Sequence, residues 1–101
     1  MNTFTALAEP SRRQIVEFLK SGPATVNSVV EALSISQPMA SKHLKSLRTA
    51  GLVDMRPQGQ RRWYALKPEA FWELEDWLKG FQRYWNDELD ALERHLSDNP
   101  E

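Results

Sequence analysis

Between Pro68 and Ser97 the sequence carries no second proline and one glycine, Gly80. About thirty residues so free of breakers read as a single helix, about 45 Å long at 1.5 Å per residue. Phe71, Leu74, Leu78, Phe81, Trp85, Leu89, Leu92 and Leu96 advance in steps of three and four, and Trp72, Trp77 and Tyr84 broaden that stripe. A chain of 101 residues makes one small domain, whose core is too short to cover the whole helix. Phe71 and Leu74 are expected on the domain's own core. The remainder leaves an apolar surface of the size that marks an interface, most simply with a second copy of the chain. Gly80 kinks or weakens the middle of this helix, at a cost of about 1 kcal/mol relative to Ala. The outer positions Glu73, Asp76, Asp87, Glu88, Asp90 and Glu93 keep that part of the molecule acidic.

Shorter pieces precede it. Phe4, Leu7 and Ala8 recur at helical spacing, and Pro10 opens a second helix where the first turn needs no N–H. That helix should run to about Ser21, with Ile15, Phe18 and Leu19 inward and Gly22-Pro23 as its stop. Thr25 caps a short third helix bearing Val26, Val29, Val30 and Leu33, which breaks at Ser34-Ile35-Ser36. Ser36 then caps a fourth helix that opens with Gln37-Pro38 and stops at Ala50-Gly51, with Ala40, Leu44 and Leu47 on one face. Leu52 to Arg56 and Arg61 to Leu66 read as strands joined through Arg56-Pro57-Gln58-Gly59 in a type I turn.

This order gives a mainly α fold with a small β-hairpin: a winged helix-turn-helix of four helices, a two-stranded wing and a long C-terminal dimerisation helix. It is expected to be one domain over 1–101. Within it lie a DNA-binding core with its wing over 1–67, the dimerisation helix over 68–97 and a frayed tail over 98–101.

Net charge is −1, but the average conceals a division. Through Lys67 there are 10 basic and 4 acidic residues, and after it 3 basic and 10 acidic. A basic region attracts polyanions while an acidic one is repelled by them, so nucleic acid is the first partner to consider. With no cysteine, a disulfide scaffold and a thiolate metal site are excluded. No apolar run approaches the roughly 20 residues of a membrane span, and Met1 to Leu7 lacks the pattern of a signal peptide, so a cytoplasmic protein with no membrane partner is expected.

Two places concentrate the polar chemistry. On the fourth helix, Gln37, Pro38, Ser41 and Lys42 are candidate readers of base edges, and Lys45 and Arg48 suit phosphate positioning. His43 joins them as a partly buried structural or phosphate-contacting residue, since its helix packs through Leu44 and Leu47. On the hairpin, Arg56, Gln58, Gln60, Arg61 and Arg62 could meet phosphates or enter a minor groove. A solvated helix face and a solubilising hairpin tip are the plainer alternatives, and on the helix the two readings weigh about equally. Arg12 and Arg13 stand outside this list, since they could touch phosphate, pair with acids or brace a dimer.

Three blocks of sequence are familiar. Leu7-Ala8-Glu9-Pro10-Ser11-Arg12-Arg13-Gln14-Ile15, the run from Ser36 through Lys42-His43-Leu44 to Gly51-Leu52-Val53, and Gly59-Gln60-Arg61-Arg62-Trp63-Tyr64-Ala65-Leu66 resemble the entry segment, recognition helix and wing of ArsR-family bacterial transcriptional regulators. The resemblance covers roughly 7 to 66. It implies a homodimeric winged helix-turn-helix repressor on a palindromic double-stranded DNA operator, with the first and last helices forming much of the dimer interface. Phe4, Leu7, Trp77, Leu78, Phe81, Tyr84, Trp85, Leu89, Leu92 and Leu96 are the candidates for that interface. The chain departs from the family's metal sensors, because 24–33 contains no cysteine and the final helix carries one histidine, His95. No metal and no cofactor are therefore expected.

No arrangement of nucleophile, histidine and acid points to catalysis, so an enzyme is not expected. A protein-interaction module built on the Trp-rich helix is one alternative. A repressor released by a small apolar effector among Trp72, Trp77, Tyr84 and Trp85 is another.

Overall fold

The structure is a computed structural model that describes residues 2–98. In chain order it comprises α1 (Thr3–Ala8), α2 (Pro10–Leu19), α3 (Val26–Leu33), α4 (Gln37–Thr49), β1 (Val53–Gln58), β2 (Arg61–Leu66) and α5 (Ala70–Asp98). Two compact units result, one through Phe71 and the other from Trp72.

Local chemistry starts each helix of the first unit. The Asn2 side chain accepts the Thr5 N–H at 2.8 Å, the Glu9 carboxylate that of Ser11 at 3.1 Å, and the Thr25 hydroxyl that of Ser28 at 3.2 Å. Ser36 does the same for Met39 at 3.2 Å. Each relieves one of the amide donors that a helix start leaves without a partner. Helix α2 stops at Leu19 rather than Ser21, because Lys20, Ser21 and Gly22 tighten onto the carbonyls of Glu17, Phe18 and Leu19. Its buried residues are Ile15, Val16 and Leu19, while Phe18, expected inward, packs at the margin of the core. Ser34 ends α3 in the left-handed conformation, φ 54° and ψ 44°, a position that glycine usually takes.

The core gathers Val29 of α3 and Ala40, Leu44 and Leu47 of α4 around α2, with Leu52, Val53 and Tyr64 closing it below the hairpin. Leu52 donates to Leu47 and accepts from Lys67, which ties the foot of the hairpin to the end of α4. The hairpin turn differs from expectation. Pairing continues through Pro57↔Arg62 to Gln58↔Arg61, so the connection is Gly59-Gln60 and Pro57 lies within β1. Gly59 has φ +63° at the first central position, where a type II′ hairpin turn calls for glycine. Pro57 is tolerated because both strands of a two-stranded sheet are edges. A further pairing is non-local: Ala24 and Tyr64 exchange both backbone hydrogen bonds, at 2.8 and 2.9 Å, and anchor β2 to the α2–α3 loop.

Pro68 and Glu69 form a turn, so α5 opens at Ala70, two residues later than expected. Thr3 Oγ1 donates to the Ala70 carbonyl at 3.4 Å, and Phe71 packs on the core. In the second unit the helix runs unbroken through Gly80, with Glu75 and Lys79 paired at 3.3 Å. The Trp77 and Phe81 rings lie 4.6 Å apart, and those of Phe81 and Trp85 6.0 Å. Asp98, placed by the sequence in a frayed tail, is the last helical residue, and 99–101 lie outside the described residues.

Candidate nucleic-acid interface

Burial divides α4 into two faces. Ala40, His43, Leu44 and Leu47 point into the protein, and Gln37, Pro38, Ser41, Lys42, Lys45 and Arg48 are all exposed. Three of these are cationic side chains held by an apolar base whose three aliphatic members are fully buried.

His43 belongs to the other face. It is 9% exposed, and its Nδ1 is buried without a hydrogen-bond partner among the described residues. Burial fits the structural role expected for it and sets it apart from the exposed residues it was grouped with as a DNA contact. Burial holds its pKa below the ordinary imidazole value, Arg12 and Lys42 lower it further, and Glu9 opposes them. Glu9 itself is held below the usual carboxylate range by the Ser11 backbone N–H.

On the hairpin Arg56, Gln58, Gln60, Arg61 and Arg62 are all exposed, but the register separates them. Arg62 opposes Pro57 on the face that continues Met55 and Tyr64 into the core, while Arg61 opposes Gln58, and Arg56 opposes Trp63, on the other face. Arg56 lies beside Asp54, Nε to Oδ2 3.8 Å, and with Pro23 and Trp63 lines a separate hollow. Gln60, Arg61 and Arg62 instead share a groove of about 420 Å³ with Gln37 and the start of α3, where Thr25, Asn27 and Ser28 supply polar groups. Those α3 residues were absent from the sequence-derived site. Their signal is a run of small polar side chains at a helix start, which capping alone also explains.

Arg12 and Arg13 are engaged elsewhere. Arg12 donates to the carbonyls of Ala6 at 2.7 Å and Thr5 at 3.3 Å, and Arg13 to those of Leu7 at 2.8 Å and Ala8 at 3.3 Å. Together they satisfy the carbonyls that the end of α1 leaves open. Of the residues expected at a partner interface, Phe4, Trp77, Leu78, Phe81, Tyr84, Trp85, Leu89, Leu92 and Leu96 are exposed, whereas Leu7 packs partly on the protomer's own core. No group of three or more His, Cys, Asp or Glu residues among those described is placed to hold a metal ion, and no described helix is long and apolar enough to cross a membrane.

Residues 9–55, from the cap of α2 into β1, match the model of the bacterial regulatory protein arsR family. An HTH-type transcriptional regulator of Mycobacterium tuberculosis is 45% identical over 80 residues, spanning 79% of this chain and 72% of that protein. The chain belongs to the ArsR family. The transcriptional repressor SdpR of Bacillus subtilis is 32% identical over 80 residues, spanning 79% of this chain and 89% of that protein. Among solved structures, the homodimeric winged helix-turn-helix DNA-binding domain of a possible ArsR-family regulator from Mycobacterium bovis matches with a TM-score of 0.65. It is 29% identical and covers 78% of this chain and 73% of that one. As an ArsR-family member the protein is a DNA-binding transcriptional regulator with a winged helix-turn-helix, and not an enzyme.

Proposed function

We propose that this protein is a homodimeric repressor of the bacterial cytoplasm that binds an inverted-repeat operator without a metal ion. The observation that carries the reading is the exposed, cation-bearing face of α4 together with the groove that Gln37 shares with Arg61 and Arg62. With α4 in the major groove, Gln37, Pro38, Ser41 and Lys42 meet base edges, while Lys45 and Arg48 fix its register through phosphates. Gln60, Arg61 and Arg62 follow the adjacent backbone or minor groove, and Arg56 and Gln58 add to the field around them. His43 orders the helix from behind.

Dimerisation uses the exposed apolar residues of α5, with Phe4. The homodimeric Mycobacterium bovis domain supports this assembly, and the Bacillus subtilis repressor supports the sign of regulation. The absence of cysteine supports the metal-independent reading, since thiolates are the ligands on which the thiolate metal sites of such sensors are built. Fluorescence anisotropy with duplex from upstream of the protein's own gene and a scrambled control, at two salt concentrations, tests the reading. Tight, salt-sensitive binding that prefers the native duplex is expected. Equal affinity for both duplexes, or no binding at low salt, would refute it.

A further inference from the structure

The tip of α4 carries an exposed apolar side chain that none of the roles above uses. Met39 is 44% exposed, on the first turn beside exposed Gln37 and Pro38 and one turn before Lys42. It lies outside the buried set of Ala40, His43, Leu44 and Leu47, so packing within the protomer does not account for it. A helix N-terminus ordinarily offers its amides to phosphate, but this one is largely closed to that use. Pro38 has no N–H, Met39 donates its own to Ser36 Oγ at 3.2 Å, and Ala40 donates to the Ser36 carbonyl at 2.9 Å. What the tip presents is an apolar knob flanked by Gln37 and Lys42.

In the major groove the one distinctly apolar feature of a base edge is the 5-methyl group of thymine. We infer that Met39 reads a thymine methyl in each operator half-site, while the polar ends of Gln37 and Lys42 remain free for hydrogen bonds. The unbranched thioether suits this task, since it adapts its shape to a small apolar partner. The inference rests on the DNA-binding reading above and assigns one base of the half-site by its chemistry.

The test takes a duplex that the full chain prefers over a scrambled control and replaces each thymine in turn by deoxyuridine, symmetrically in both half-sites. At one position the unaltered protein should lose about fourfold in affinity per half-site, the worth of one buried methyl. Met39→Ala should bind the thymine duplex more weakly and be indifferent to uracil at that position, while Met39→Leu keeps the discrimination. Equal binding to the thymine and uracil duplexes at every position would overturn the inference, as would a Met39→Ala protein that keeps the full uracil penalty. Failure of the underlying reading is distinct: the unaltered protein then has no preferred duplex, and the inference falls with it.

Discussion

Arg12 shows how one side chain settles an early element. A six-residue helix such as α1 leaves most of its carbonyls open, and it holds its place here because two guanidinium groups from α2 close its end. Hydrogen bonds from a charged donor are worth about 1.5 kcal/mol or more, so Arg12→Ala should lower the unfolding free energy by about that amount in urea titration. Arg12→Lys should recover less than half, because one ammonium cannot span both carbonyls. His43 gives a pH dependence of defined sign. Burial sets its folded pKa below the ordinary 6.5, so the unfolded chain binds the proton more readily. Stability is complete above 6.5 and falls as pH drops from there toward the folded value. His43→Gln should flatten that fall in thermal unfolding measured between pH 7 and 5, and an unchanged slope would show that another group causes it. The sequence read His43 as partly buried, because its helix packs through Leu44 and Leu47, but left a structural and a phosphate-contacting role both open. Which side it takes is decided by α2 packing against α4, a long-range fact that no local pattern carries.

Elements whose signals are local were the most legible. Thr25 and Ser36 each accept the amide three residues on, and α3 and α4 begin where those caps lie. The hairpin was harder, because Pro57-Gln58-Gly59 fits a type I turn as well as it fits a strand end. Pairing Met55 with Tyr64 and Ala24 with Tyr64 fixes the register from a distance and moves the turn onto Gly59-Gln60. The register matters for the site, since it sets Arg62 and Arg56 on opposite faces of the wing. The wing and α4 are therefore expected to fail differently. Arg62→Ala should weaken binding to all duplexes alike and reduce the salt slope by about one unit, whereas Gln37→Ala should lose discrimination at particular base pairs. Anisotropy across a small panel of duplexes separates the two, and equal loss on every sequence for both variants would refute this division of roles.

At the scale of the molecule, the apolar residues of α5 were legible as surface in excess of what a small core can cover. What covers them was not, because a partner surface leaves no mark in one chain beyond that excess. Leu89 is 62% exposed and Trp85 50%, and both lie in the stripe assigned to the dimer. Leu89→Glu should shift sedimentation velocity from dimer to monomer, and with it weaken operator binding, since each half-site then binds alone. Hydroxyl-radical footprinting of the operator complex tests the central claim most directly. Two-fold symmetric protection is predicted, with half-site centres about 10 base pairs apart, the spacing of two recognition helices related by a dimer axis. Protection of one asymmetric half-site by a monomer would contradict it.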